Sequence, residues 1–276
     1  MDEATNDDGR NTPTRRDRRR NPPSRRGLSI MGVLGELFIT VGVIALLYVS
    51  WQLWIGDLII GAQFKDEAKS LSEQWASQEP TEPPTSSAQP TAPNEPPVAD
   101  PIEPTPVEAP ILAEPAEGEI FGIMRIPRLG PDYFFNMAGG VDASVTLNPI
   151  GIGHYPGTSM PGATGNFAVA GHRGSHGAPF QDLPALRVND AIVVETADGW
   201  YTYRFRNLEY VQPDQVEVLL PVPQVDDATA TDKLITMTTC SPRYGFSERV
   251  IAYGVFESFT PRSAGPPASL TEGVTA

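Results

Sequence analysis

Apolar residues form one long uninterrupted run near the start of the chain and several short runs in its second half. Residues 37–54 read LFITVGVIALLYVSWQLW without a charge, and residues 31–35 extend this run past the single Glu36. About 20 apolar residues span the hydrocarbon core of a bilayer as a helix. A buried helix of a soluble protein would show a polar face, and this segment has none. The pattern therefore predicts one membrane-spanning helix over residues 31–56.

Charged and aromatic residues around this run predict its orientation. The first 30 residues hold eight arginines and five acidic residues, which gives them a net charge of +3. Because the net charge of the whole chain is −14, the residues after the first 30 carry −17. Basic residues flank the cytoplasmic end of membrane helices, and aromatic residues such as Tyr48, Trp51 and Trp54 concentrate at an interface. We expect residues 1–30 to be a cytoplasmic basic tail, followed by an uncleaved signal anchor and an extracytoplasmic remainder.

Two other interpretations of the N-terminal region are open. A cleaved signal peptide is one, but the apolar run exceeds the usual apolar region of about 7–15 residues and no clear A-x-A site follows it. Nucleic-acid binding by the arginines is the other. An apolar block between a basic end and an acidic body indicates membrane topology instead, and we expect the lipid bilayer, not a nucleic acid, as the partner of this region.

Proline dominates the next part of the chain. Residues 57–78 mix polar and apolar side chains, which is consistent with a juxtamembrane helix. Twelve prolines then occur from Pro80 to Pro115, in a composition too polar to bury a core and too rich in proline to be compact. We expect residues 57–118 to be a juxtamembrane segment and a Pro-rich linker that lifts a domain off the membrane. A ligand for a proline-binding partner is the alternative.

The second half of the chain has the pattern of a β-protein. Short apolar or alternating runs are separated by Gly- and Pro-rich turns, at residues 120–126, 167–170, 191–195 and 201–206. Many short strands with turns between them predict a closed barrel or a sandwich. Only residues 178–186 and 213–218 favour short helices. We expect a mainly β domain at residues 119–260 and a flexible tail at residues 261–276.

Three candidate catalytic residues lie at the ends of predicted strands. Cys240 is the only cysteine and closes the run at residues 233–240, Arg249 opens the next run, and His172 leaves an apolar run into a Gly-rich loop. A cysteine acyl-transfer site needs these groups, because the thiol attacks, the imidazole moves protons and the cation holds the developing oxyanion.

Each candidate also has a simpler explanation. Cys240 could be a small buried core residue, and Arg249 could form a surface salt bridge with Glu248. His172 could be satisfied by hydrogen bonds to local backbone groups. His154 and His176 compete with it for the role in proton transfer, although neither leaves an apolar strand. Three dispersed histidines and one cysteine show no metal-ligand spacing. We expect no metal and no other cofactor.

Taken together, these residues resemble a known family. The run TMTTC at residues 236–240, with Arg249 after it and the Gly171-His172 pair before it, resembles the sortases, the membrane-anchored cysteine transpeptidases of Gram-positive bacteria. Met237 stands where Leu is usual, and the two residues are close in volume. Further stretches resemble the class E, housekeeping sortases of high-GC actinobacteria: HYPGT at residues 154–158, NFAVAGHR at 166–173 and GAPF at 177–180.

The resemblance implies a fold, a reaction and its partners. The fold is a closed eight-stranded sortase β-barrel with short helices, preceded by one transmembrane helix and the Pro-rich linker. Cys240 attacks the Thr–Gly carbonyl of an LAxTG-like or LPxTG-like sorting signal in a secreted protein, and Arg249 stabilises the oxyanion. His172 protonates the leaving amine. An amine of a peptidoglycan precursor then takes the protein from the thioester.

Further candidates for substrate contacts are Tyr155, Thr239 and Tyr244. The resemblance to class E sortases implies that a loop tyrosine favours Ala in the signal, and Tyr155 is our candidate for it. Thr239 lies beside the nucleophile, and Tyr244 lies in the loop before Arg249.

Three alternatives compete with this assignment. A pilin-polymerising sortase often carries a lid and a second membrane span, and neither pattern is visible here. A non-catalytic membrane-tethered scaffold predicts that Cys240, His172 and Arg249 do not converge in space. An L,D-transpeptidase-like enzyme normally has its histidine just before its cysteine, whereas His172 lies far upstream of Cys240.

Overall fold

The computed structural model describes residues 29–51, 56–78 and 107–271. Most of the predicted basic tail, most of the Pro-rich linker and the last residues of the predicted flexible tail lie outside the described residues. The chain divides into two compact units, residues 1–48 and residues 49–276.

The first helix, α1 (Ile30–Ser50), lies where the sequence predicts a membrane span. It has 21 residues and no buried side chain. Its length and composition suffice for a single crossing of a membrane.

The second unit contains a closed barrel of eight strands. The strands are β1 (Ile120–Arg125), β2 (Phe135–Gly139), β3 (Ile152–His154), β4 (Gly165–Gly171), β5 (Ala191–Glu195), β6 (Gly199–Val211), β7 (Lys233–Ser241) and β8 (Glu248–Pro261). Their order around the barrel is β1-β2-β3-β4-β7-β8-β6-β5, and β5 pairs with β1 to close it. Short helical turns at Leu183–Ala185 and Val216–Leu219 lie in the two regions that favour helix. The predicted mainly β, eight-stranded barrel is confirmed.

The pairing of β4, β7 and β8 brings three strand ends to one rim. β4 and β7 are parallel, with Ala170 beside Thr238, so both strands end on the same side of the barrel. β8 is antiparallel to β7 and begins on that side, with Cys240 opposite Arg249. The residues that end or open these strands are therefore neighbours, although they are far apart in sequence.

Aromatic side chains stack through the barrel core. The Phe167 ring lies 6.4 Å from that of Tyr203 and 5.4 Å from that of His154, between ring centroids. His154 is fully buried, and burial lowers the pKa of its imidazole. His154 is thus a core residue, which removes it as a competitor of His172 for proton transfer at the rim.

A second helix, α2 (Gly56–Ser77), packs on the barrel. Its buried residues Gly61, Phe64 and Ala68 follow a helical spacing of three and four and so form one face. Phe64 belongs to the main core cluster of the barrel. The juxtamembrane helix suggested by residues 57–78 is therefore part of the globular unit.

The chain just before β1 also packs on the barrel. The Pro110 carbonyl accepts a hydrogen bond from the Tyr201 hydroxyl at 2.6 Å, and the Glu114 carboxylate accepts one from the Gly157 backbone N–H at 2.7 Å. A side chain at Gly139 would lie 2.3 Å from the Ala116 carbonyl oxygen. Residues 107–118, which the sequence places in the linker, therefore form a docked segment.

Glu195 forms a buried ionic cluster that joins α2 to the barrel. Its carboxylate is 1% exposed and lies 3.1 Å from the Arg262 guanidinium and 3.5 Å from that of Arg125. It also accepts a hydrogen bond from the Ser72 hydroxyl of α2 at 2.7 Å. The Arg262 guanidinium lies 4.6 Å from the centre of the Trp200 ring, which adds a cation–π contact.

We predict that Glu195→Ala lowers the free energy of unfolding by about 3 kcal/mol, because it leaves largely buried guanidinium groups without their counter-charge. Glu257→Ala is the matched control. Glu257 pairs with Arg204 but is 44% exposed, and such pairs contribute about 1 kcal/mol or less. Urea unfolding of both variants measures the difference, and equal losses would contradict the assigned role of Glu195.

Candidate active site

Cys240 and Arg249 are neighbours on adjacent strands. Cys240 lies at the end of β7, is half-buried and pairs with Arg249 at the start of β8. Directly opposed residues in an antiparallel pair place their side chains on the same face. A reacting group at the thiol therefore lies within reach of the guanidinium.

Backbone carbonyl groups hold the Arg249 side chain. Its Nη1 donates to the carbonyl oxygens of Phe246 and Glu248, both at 3.0 Å. Within the described part of the chain, no carboxylate pairs with it, so the salt bridge to the Glu248 side chain does not form. The positive charge is thus anchored but not neutralised, as stabilisation of an oxyanion requires.

His172 directly follows β4, and Asn148 orients its ring. The Nε2 atom of His172 lies 2.8 Å from the Oδ1 atom of Asn148. An amide oxygen can only accept a hydrogen bond, so Nε2 carries the proton and Nδ1 is free to accept one. Asn148 therefore selects the tautomer that can act as a base through Nδ1.

Burial and neighbouring charges set the protonation of His172. Burial lowers the pKa of its imidazole, and the positive charge of His176 lowers it further, while the Asp57 carboxylate opposes both. The two imidazole rings are 5.0 Å apart between centroids. His172 is therefore neutral at pH 7 and can take a proton from a thiol or an amine.

The sequence analysis did not identify Asn148. It follows a short helical turn, Ala143–Leu147, whose first residues donate hydrogen bonds to the Asp142 carboxylate. Asp142 at the start and Pro149 after Asn148 are local signals for that turn. No local signal indicates that the Asn148 amide meets a ring 24 residues later.

Two side-chain hydrogen bonds join the His172 segment to the Cys240 segment. The Thr239 hydroxyl donates to the Gly171 carbonyl at 2.7 Å, and Arg173 Nη1 donates to the Ser241 hydroxyl at 3.3 Å. The Thr239 side chain is buried, and its hydroxyl hydrogen is already donated to a backbone carbonyl. The structure thus gives Thr239 a bracing contact, and substrate contact by Thr239 stays a prediction.

The two loops after these segments also touch. A side chain at Gly174 would lie 2.1 Å from the Arg243 carbonyl oxygen, so only glycine fits there without movement of the backbone. Tyr244 is 63% exposed in the loop between β7 and β8, and the Arg243 guanidinium lies 5.2 Å from the centre of its ring. Tyr244 is therefore free to meet a substrate.

Tyr155 reaches the site from the loop after β3. Its hydroxyl forms a 2.9 Å hydrogen bond with the Thr238 hydroxyl, two residues before Cys240 and on the same face of β7. Burial raises the pKa of Tyr155, while the bond to Thr238 and the charge of Arg249 oppose that rise. The structure thus places Tyr155 on the side of the site that Thr238, Cys240 and Arg249 share.

A cleft of about 730 Å³ lies beside α2, and none of Cys240, Arg249 and His172 lines it. It lies between α2 and the loops that follow His172 and Cys240, and charges of both signs line it. Its walls include Asp57, Lys65, Gly177, Pro179, Arg243 and Tyr244. In the described residues, no group of three or more His, Cys, Asp and Glu side chains could hold a metal ion.

Comparisons with known proteins agree on one family. A family model described as the Sortase domain matches residues 124–257. Sortase SrtE1 of Streptomyces coelicolor is 33% identical over 86% of this chain, and the match spans 60% of that relative. The solved structure of sortase E1 from Streptomyces coelicolor with a tripeptide in the active site is 36% identical, with a TM-score of 0.52, over 56% of this chain and 99% of that one. The SrtA sortase from Actinomyces oris is 35% identical, with a TM-score of 0.55, over 59% of this chain and 93% of that one.

We predict that His176→Gln raises the pKa of His172, because it removes a like charge that disfavours the protonated ring. Asp57→Asn is the opposing control and lowers the pKa of His172, because it removes a charge that favours protonation. NMR titration of the imidazole C–H signals measures both. A shift in the same direction in both variants would contradict this account of the site.

Proposed function

Because the chain belongs to the sortase family, we propose that it is a cysteine transpeptidase that cleaves a sorting signal between Thr and Gly and joins the secreted protein to a cell-wall amine. One observation carries this proposal, namely that the strand ends that carry Cys240, Arg249 and His172 lie side by side at one rim of the barrel. A non-catalytic scaffold would not require them to meet.

The first half of the reaction forms a thioester. His172 accepts the thiol proton at Nδ1 as the Cys240 sulfur attacks the Thr carbonyl carbon, and Arg249 stabilises the negative charge that develops on the carbonyl oxygen. The C–N bond to Gly then breaks, and His172 returns the proton to the leaving amine. The neutral, Asn148-held imidazole supports this role, because it begins with a free Nδ1.

The second half transfers the acyl group. A neutral amine attacks the thioester carbon and loses a proton to His172, and the C–S bond breaks to release the product. The returned proton restores the Cys240 thiol. Water in place of the amine gives hydrolysis of the same intermediate, so exclusion of water decides the yield of the transfer.

Tyr155 is the residue we propose to select the signal. Its side chain is half-buried, and the hydrogen bond to Thr238 holds it at the face of β7 that also carries Cys240. The tripeptide in the active site of the Streptomyces coelicolor relative supports peptide binding at the corresponding site here. We propose an LAxTG-like signal as the preferred substrate, with an LPxTG-like signal as the competitor.

The acceptor is proposed to approach through the cleft beside α2. Wall precursors carry amines together with carboxylates, and a cleft lined by Asp57 and Lys65 offers charges of both signs. This approach leaves the Tyr155 side of the site to the sorting signal.

We propose that α1 is a single-pass signal anchor, with the N-terminal arginines in the cytoplasm and the catalytic unit outside. The length and apolar composition of α1 support the anchor, and the uneven charge of the sequence supports its orientation.

The purified protein should cleave a fluorogenic LAxTG peptide and ligate it to a glycine amine. Cys240→Ala should abolish both reactions, and Arg249→Ala should lower the cleavage rate about 100- to 1,000-fold, the usual effect of losing one oxyanion donor. Turnover of LPxTG alone would discard the proposed preference. No turnover of either peptide, with a Cys240 that a thiol probe does not label, would refute the transpeptidase.

Tyr155→Phe should lower the preference for LAxTG over LPxTG about 2- to 10-fold, which corresponds to the loss of one hydrogen bond. The ratio of kcat/KM for the two peptides measures the preference. Tyr210→Phe, at an exposed tyrosine of β6 to which no substrate contact is assigned, is the control. An unchanged ratio in Tyr155→Phe would remove Tyr155 as the selecting residue.

A further inference from the structure

Phe64 of α2 contacts two segments of the barrel unit at once. A Cβ atom on Gly177 would lie 2.9 Å from its ring, too close for a side chain to fit without movement, and a Cβ atom on Gly151 would lie in contact with the ring at 3.6 Å. Phe64 is 5% exposed and belongs to the main core cluster. The ring thus fills the space between two glycines that are far apart in sequence.

These two segments carry the two partners of the catalytic hydrogen bond. Gly151 follows Asn148 by three residues, and Gly177 follows His172 by five. The bond between Asn148 and His172 links the same two segments, at 2.8 Å. Phe64 and this hydrogen bond therefore act on the same pair of segments.

The rest of α2 holds Phe64 in place. Gly61, one turn earlier, packs so closely on the loop after His172 that its Cβ would lie 3.3 Å from the Gly177 carbonyl oxygen. Toward the other end, Ser72 donates to the buried Glu195 carboxylate, and Arg262 lies 5.7 Å from the centre of the Trp75 ring. A helix fixed on both sides of Phe64 gives the ring a firm support.

We propose that Phe64 is a positioning residue of the active site, which holds the Asn148 and His172 segments together and so fixes the orientation of the His172 imidazole. This inference rests on the proposed function for the role of His172 in proton transfer. It makes α2, a helix outside the eight-stranded barrel, part of the machinery that orients the imidazole.

The test uses the full-length protein in lipid nanodiscs. Phe64→Ala should lower kcat for the LAxTG peptide about tenfold with little change in KM. Proton transfer by a well-positioned side chain accelerates a reaction about 10²–10⁴-fold, and an imidazole that is less firmly held loses part of that acceleration. Phe64→Leu, which keeps most of the volume, should restore most of kcat. Ile59→Ala, on the exposed face of α2 at 55% exposure, is the matched control and should leave kcat unchanged.

A double-mutant cycle with Asn148→Ala separates positioning from general stability. If Phe64 acts through the hydrogen bond of Asn148, adding Phe64→Ala to Asn148→Ala should change kcat less than twofold, because coupled residues are not additive. Full additivity of the two losses would overturn the proposal.

NMR titration gives a readout that does not depend on turnover. In Phe64→Ala the pKa of His172 should rise toward its ordinary value, because the imidazole becomes more exposed to water. The buried His154 should keep its pKa. An unchanged pKa of His172, or equal shifts of both histidines, would also overturn the proposal. If the wild-type protein cleaves no peptide, the proposed function fails, while this titration still decides whether Phe64 orients His172.

Discussion

The parallel pairing of β4 with β7 is the constraint on which the rest of the site depends. Two strands that run in the same direction end at the same rim, so the residue after β4 and the last residues of β7 become neighbours. The antiparallel β8 then adds its first residues to that rim. In the closed barrel, each of these strands is hydrogen-bonded to a neighbour along both of its edges. Their register is fixed, because a shift of one residue would turn every inward side chain outward.

Segments outside the barrel stabilise the two sides of the site. Phe64 of α2 packs against the segments that carry His172 and Asn148, while the docked residues 107–118 bind Gly157, two residues after Tyr155. Both contributions come from the part of the chain before β1. The geometry of the candidate site therefore depends on residues that a barrel defined from β1 to β8 would leave out.

Six of the eight strands and the three catalytic candidates could be predicted because their signals are local, whereas the short strands β2 and β3 show no such run and were missed. Alternating or apolar runs indicated strands, and Cys240, Arg249 and His172 each stood at the end of one. The partners of these residues could not be predicted in the same way. The bond from Asn148 to His172, the bond from Thr239 to the Gly171 carbonyl and the packing of Phe64 all join residues that only the closed barrel brings together. Residues 57–78 showed a mixed pattern whose buried face becomes evident once the barrel supplies the opposing surface.

The docking of both α2 and residues 107–118 changes what the Pro-rich stretch between them does. When both ends of a segment are held on the same body, the segment closes a loop on that body and does not act as a spacer to another part of the chain. Doubling the length of such a loop costs only about 0.6 kcal/mol in closure entropy, so its length is nearly free to vary.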